Sequence, residues 1–309
     1  MSSRAAHTDS AGRLPDFIAV GPNRTGTTWM HTALKGRVNL PAGPEESQFF
    51  RSQFFRARYH KGLDWYRNLF ADGDPSLPAG EVCPSYFASA EARERIAKDI
   101  PNCRIICSLR DPVERLYEHY MGVRRGYGAR LGGFEETLKV RPEFLDSCRY
   151  ASYVSAWQQK FGKRNVMVAI YDDLCDDAQA YLDAICDFIG IARYSLADSA
   201  VGNGRVNVIT TAPRNPHLAD AAGRAVEWLC ERGYYSIVNR WHRTRLWDLC
   251  FAGGEPYPEL APDLEARLRD LLRPEVEALE SLIGRDLAAW KTPRAKARDE
   301  ASEGRRHAG

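Results

Sequence analysis

Phe17-Ile18-Ala19-Val20-Gly21-Pro22-Asn23-Arg24-Thr25-Gly26-Thr27-Thr28-Trp29 is the stretch whose reading decides the fold. Four apolar, β-prone residues run into a loop with two glycines, and helix-forming sequence from Thr28 to Leu34 follows at once. A strand that feeds such a loop into a helix gathers backbone N–H groups and the positive end of the helix dipole on one spot. That spot binds a phosphate or a sulfate. Set against the Walker pattern G-x-x-x-x-G-K-[ST], the loop keeps both glycines and Thr28, but Thr27 stands where the lysine would reach the β- and γ-phosphates. The cation has moved three residues earlier, to Arg24, where it can lie over a 5′-linked group and neutralise charge on it without a metal. The plain alternative is a strand-loop-helix turn that uses glycine only for its geometry.

Outward from this loop, three further β-rich runs read as buried parallel strands: Gly80-Glu81-Val82-Cys83, Arg104 to Leu109, and Val166 to Tyr171. Helical patterns fill the intervals at Ala88 to Asp99, Pro112 to about Arg124, Tyr150 to Phe161, Ala178 to Ile189 and Leu264 to Leu282. The expected fold class is α/β: a three-layer arrangement with a parallel sheet of about five strands and helices on both faces. One domain spans 14–291, between polar tails at 1–13 and 292–309 that are expected to be disordered. Residues 215–251 stand apart, because Trp228, Tyr234, Tyr235, Trp241, Trp247 and Phe251 crowd there with Arg240, Arg243 and Arg245. Such a segment reads as a helical subdomain with an aromatic core, or as a lid over an acceptor pocket.

Composition narrows the class of partner. A chain of 309 residues with 44% hydrophobic and 27% charged residues buries a full core, and a net charge of +2 gives no bulk attraction to nucleic acid or an anionic membrane. Anion recognition must therefore be local. No apolar leader or membrane-spanning run is present, and eight cysteines without a C-x-x-C pair point to reduced thiols rather than a metal or disulfide framework. The expectation is a cytoplasmic protein with no metal and no stable membrane insertion.

A second anion contact is expected in Leu109-Arg110-Asp111-Pro112-Val113-Glu114-Arg115-Leu116-Tyr117-Glu118-His119-Tyr120. Asp111 is placed as an N-cap with Pro112 at the first helical position, so Arg110 points from a strand end into the crevice where α/β folds bind ligands. Glu114 and Arg115 read as a pair on the helix surface.

These motifs resemble those of the sulfotransferases that use 3′-phosphoadenosine-5′-phosphosulfate (PAPS). The family's 5′-phosphosulfate loop, G-x-x-[KR]-x-G-T-[TS], is similar to Gly21 through Thr28 at every position. The resemblance implies a P-loop-like α/β fold and transfer of a sulfuryl group from PAPS to a hydroxyl or similar nucleophile. The acceptor would be a small molecule, glycan or lipid, and adenosine 3′,5′-bisphosphate would be released. It assigns Asn23, Arg24, Thr25, Gly26, Thr27 and Thr28 to the 5′-phosphosulfate.

The family's R-D-P-x-x-R-x-x-S-x-Y segment marks the 3′-phosphate site. Arg110 matches its arginine, and Glu118 stands where its serine is expected. A carboxylate there repels phosphate unless it points away, is protonated, or is neutralised by Arg115, Arg124 or Arg125.

Pro44-Glu45-Glu46-Ser47-Gln48-Phe49-Phe50 resembles the K-E-x-x-F-F segment of glycan-type members, which makes Glu46 the catalytic base, with Glu45 in the lysine's place. His31, His60, His119, His217 and His242 are alternative bases. Val206, Asn207 and Arg214 fall where family members close a loop over the nucleotide, which assigns Arg214 to a phosphate. Two rival readings share the loop: a small-molecule P-loop kinase, and a catalytically impaired nucleotide-binding relative.

Overall fold

A computed structural model describes residues 12–43, 45–52, 58–127, 131–201, 211–232, 234–241 and 244–293. Nearly all of both tails, together with Val206, Asn207, His242 and Arg243, lie outside the described residues.

The central sheet consists of β1 (Phe17–Ala19), β2 (Gly80–Val82), β3 (Arg104–Leu109) and β4 (Val166–Ile170), all parallel, in the order β2-β1-β3-β4. Each strand is the heart of one of the four apolar runs. The expected strand count is corrected, since four strands rather than about five form this sheet among the described residues. The two others, β5 (Thr211–Pro213) and β6 (Gly253–Pro256), pair antiparallel only with each other. Proline and glycine punctuate both, which suits a short edge ribbon and not a buried parallel strand.

In chain order the helices are α1 (Thr27–Leu34), α2 (Gly62–Asn68), α3 (Ala90–Asp99), α4 (Pro112–Tyr127), α5 (Phe134–Val140), α6 (Glu143–Asp146), α7 (Tyr150–Phe161), α8 (Tyr171–Asp176), α9 (Ala178–Ile189), α10 (Pro216–Glu231), α11 (Tyr235–Trp241), α12 (Arg245–Phe251) and α13 (Pro262–Ile283). Alternation along the strands sorts the core into two layers. Ile18, Ile105 and Cys107 face Ile96 of α3, Trp157 of α7 and Leu279 of α13. Phe17, Ala19 and Ile106 face Met30 of α1 and Leu182 of α9. Both faces are therefore covered, as a three-layer α/β fold requires, and each large apolar side chain buried in this way contributes about 1.5–3 kcal/mol.

Two smaller clusters lie outside the sandwich. In the first, Val113, Leu116 and Tyr120 of α4 pack with Phe134, Phe144 and Leu268. In the second, Trp241, Trp247 and Phe251 gather their rings beside Ala219, Ala222 and Cys250. Helices α10, α11 and α12 thus surround a cluster of three aromatic rings, while Trp228 and Tyr234 of the same segment are exposed. Arg125 of α4 ties that cluster to the body of the fold by donating to the Phe251 carbonyl.

Candidate active site

The first anchor is built by the turn between β1 and α1. Gly26 caps α1 in the left-handed region at φ 84°, and a Cβ there would lie 3.0 Å from the Tyr171 ring, so glycine is required on both counts. The Thr25 hydroxyl donates to the Pro22 carbonyl at 2.8 Å, and the Thr25 carbonyl accepts from the Ser108 hydroxyl at the end of β3. Thr25 is fully buried, so its side chain braces the loop and its donor proton is not free for an anion. Thr27 and Thr28 occupy the first turn of α1, Thr27 buried and Thr28 half-exposed, where their backbone N–H groups lack intrahelical partners.

Arg24 also sits in the left-handed region, at φ 74°, which costs a non-glycine residue about 1–2 kcal/mol. Strain of this kind persists where the position is needed. Its guanidinium lies against Gly122 of α4, where a Cβ would stand 2.2 Å from Nη2. Burial lowers the Arg24 pKa, Glu118 partly offsets that, and Arg125 and Arg110 lower it further. Arg24, Arg110 and Glu118 therefore share one electrostatic neighbourhood, between the loop after β1 and the face of α4.

Arg110 stands just beyond β3, and α4 begins as the sequence predicts: Asp111 Oδ1 accepts from the N–H groups of Val113 and Glu114 at 2.9 and 3.2 Å. Asp111 Oδ2 also receives Arg269 of α13 at 2.8 Å, both side chains being buried. This pair locks α13 onto the N-terminus of α4. Arg110 Nη1 lies 2.8 Å from Glu118 Oε2, and Nη2 lies 3.1 Å from Glu114 Oε2. Its guanidinium also stacks 4.6 Å from the centre of the Tyr171 ring.

The sequence leaves open how Glu118 is accommodated, and in the structure its carboxylate pairs with Arg110 itself. Arg124 donates to the Tyr120 hydroxyl, and Arg125 to the Phe251 carbonyl. Arg115 is only 1% exposed rather than on the helix surface, and its Nη2 donates to Ser147 Oγ at 2.8 Å. One turn of helix cannot tell an exposed ion pair from an arginine held by a neighbouring loop.

Beside the first anchor lies a cleft of about 870 Å³, lined by Asn23, Glu46, Arg51, His119 and Arg141 among others. Asn23 of the anion loop and Glu46, the candidate base, thus open onto the same space. The Glu46 segment is held from below. Buried Glu81 of β2 accepts from the Ser47 N–H at 2.8 Å and from the Tyr66 hydroxyl at 2.6 Å, while Arg58 donates to the Ser47 carbonyl. The Tyr86 hydroxyl receives the Phe50 N–H at 3.3 Å, and Phe49 stacks on Tyr66 with ring centres 4.6 Å apart. Burial pushes the Glu81 carboxyl above its ordinary pKa, against the opposing bonds from Ser47 and Tyr66 and the charge of Arg58. Sequence reasoning missed this network, although a lone glutamate inside the apolar run Gly80 to Cys83 is its signal.

Of the alternative bases, His119 lines the cleft. Burial, with Arg115, Arg24 and Arg141 nearby, pulls its pKa down to about 3, so it is neutral at pH 7 and a weak base. His31 Nδ1 faces Glu45 at 3.4 Å. His60 lies in a 3₁₀ turn at Tyr59–Lys61, and His217 is exposed in the first turn of α10. Arg214 is exposed directly after β5, with its N–H donating to the Ala252 carbonyl at 3.2 Å. Among the described residues no group of three or more His, Cys, Asp or Glu side chains could hold a metal, and no helix is long and apolar enough to cross a membrane.

Residues 14–203 match the sulfotransferase domain family. The human bifunctional heparan sulfate N-deacetylase/N-sulfotransferase 3 is 29% identical over 205 residues, covering 58% of this chain and 22% of the relative. The N-deacetylase/N-sulfotransferase 1 of Mus musculus is 25% identical over 300 residues, covering 90% of this chain and 31% of the relative. The chain thus spans between a fifth and a third of the length of these curated relatives. A solved sulfotransferase from Alicyclobacillus acidocaldarius superposes with a TM-score of 0.61 at 20% identity, over 91% of this chain and 100% of that one, which is a likeness of fold.

Proposed function

This chain belongs to the sulfotransferase domain family, and we propose that it moves a sulfuryl group from PAPS to a polar, glycan-type acceptor bound in the cleft between Asn23 and Glu46. The observation that carries this reading is the shared cleft: Pro22 and Asn23 of the anion loop line the same space as the Glu46 carboxylate. Glu46 removes the acceptor's proton as the nucleophile's lone pair forms its bond to sulfur. The bond between sulfur and the bridging oxygen of the 5′-phosphate breaks, and Arg24 with the loop N–H groups holds the charge left on that oxygen. Arg110, the second partly buried cation, is the anchor for the 3′-phosphate.

Arg51, Glu91, Arg141, Glu143 and Asp146 line the cleft, and such walls suit a carbohydrate or a comparable polar acceptor better than a lipid. The names of the curated relatives support an amine as the nucleophile beside the hydroxyl expected from sequence. Thr27 in the Walker lysine's place speaks against a kinase. All eight cysteines are free and seven are buried, which supports a reducing, cytoplasmic setting. Incubation with sulfur-labelled PAPS and a panel of amino- and hydroxyl-bearing oligosaccharides, followed by mass spectrometry of the products, tests the reading. A labelled oligosaccharide supports it, and label passing only to apolar acceptors refutes it.

A further inference from the structure

PAPS carries two anionic groups, and the structure offers each a partly buried cation. Arg24 stands in the loop that receives the 5′ group, which leaves Arg110 for the 3′-phosphate. Arg110 already has acidic partners. Both of its terminal nitrogens face carboxylates, Glu118 at 2.8 Å and Glu114 at 3.1 Å, and its Nε is buried with no hydrogen-bond partner among the described residues. Glu118 is the more exposed of the two carboxylates, at 39% against 22%. It is therefore the one that can swing toward water. The other arginines of α4 within reach are committed to Ser147, Tyr120 and Phe251.

We infer that Glu118 is a built-in competitor for the 3′-phosphate: its carboxylate occupies the Arg110 guanidinium and must be displaced before the phosphate can bind there. This deepens the reading of Arg110 as the 3′-phosphate anchor and rests on it. The consequence is a donor site with muted selectivity. Part of the attraction between Arg110 and the 3′-phosphate is spent in breaking an existing ion pair, and Glu118 remains nearby as a like charge. A nucleotide without a 3′-phosphate escapes both costs. The site should then discriminate weakly between adenosine 3′,5′-bisphosphate and adenosine 5′-monophosphate.

Calorimetric titration of both nucleotides into the wild-type protein, Glu118→Ser and Glu118→Gln tests this. Glu118 lies on the half-exposed face of α4, and thermal melting checks that each variant folds. In Glu118→Ser and in the near-isosteric Glu118→Gln, affinity for the bisphosphate rises by about tenfold or more while affinity for the monophosphate stays level. Unchanged or weaker bisphosphate affinity in both folded variants overturns the inference and leaves the donor assignment standing. Failure of the wild type to bind either nucleotide overturns the donor assignment itself, and with it the inference. Adding Arg110→Ala to Glu118→Ser abolishes the gain in bisphosphate affinity, whereas a gain that survives places the 3′-phosphate elsewhere and overturns the inference.

Discussion

A Cβ at position 122 would stand 2.2 Å from Arg24 Nη2, so the cation of the anion loop rests on a bare stretch of the α4 backbone. Gly122→Ala therefore separates function from stability. Alanine favours the helix interior by about 0.8–1 kcal/mol over glycine, and the atom it meets is the free end of a flexible side chain. The expected outcome is an unchanged or higher melting temperature with kcat reduced by at least tenfold, about 1.4 kcal/mol of transition-state stabilisation. Thermal melts and steady-state kinetics on the same preparation check it.

Arg24 itself should behave in the same sense and more strongly. Arg24→Gly relieves the left-handed backbone at φ 74° and removes the charge opposite the leaving oxygen. Stability is expected to hold or rise, while kcat falls by about 10²–10³, the range for loss of one donor that stabilises developing negative charge.

Tyr66→Phe tests the floor beneath the candidate base. The Tyr66 hydroxyl donates to buried Glu81 at 2.6 Å, and Glu81 in turn holds the Ser47 N–H. Loss of the donor leaves a buried carboxylate oxygen underserved, at a cost of about 1–3 kcal/mol in denaturant unfolding. Because Ser47 adjoins Glu46, kcat should fall in the folded variant while bisphosphate affinity is retained. An equal loss of both would mean that the network serves the fold alone.

His119 gives a pH dependence whose sign is fixed. Its folded-state pKa of about 3 lies below the value of about 6.5 in an unfolded chain, so between these limits the unfolded state binds more protons. Stability is lost as pH falls from about 6.5 toward 3. Asp111, raised by burial to about 6, acts in the opposite direction over part of that range. His119→Asn isolates the histidine: its melting temperature should drop less on acidification than that of the wild type. Parallel curves would contradict the assignment.

The sheet was legible because Phe17 to Val20 and Ile105 to Leu109 are β-prone and buried throughout, and Val166 to Ile170 is largely so, and such strands show as mainly apolar runs. The helices at Tyr150–Phe161 and Ala178–Ile189 fall on their predicted bounds because Gly162 and Gly190 end them. The ribbon of β5 and β6 carried no such signal, since Thr-Ala-Pro and Gly-Gly-Glu-Pro read as turns.

At the site, the motif positions Arg24 and Arg110 fall in one neighbourhood because β1 and β3 are adjacent strands, while Glu46 lines the cleft beside Asn23. The partner of Glu118 and the burial of Arg115 were not legible, because both depend on rotamers chosen by tertiary neighbours. Nothing in the sequence signals that Gly122 makes room for Arg24, because the two residues meet only through the tertiary fold.

The central claim is that Glu46 takes the acceptor's proton in a cleft shared with the PAPS loop. Acceptor-dependent release of adenosine 3′,5′-bisphosphate by Glu46→Gln, with affinity for that product measured alongside, tests it most directly. The account predicts a kcat lowered by about 10²–10⁴ with product affinity unchanged. A Glu46→Gln enzyme that turns over at the wild-type rate would contradict it.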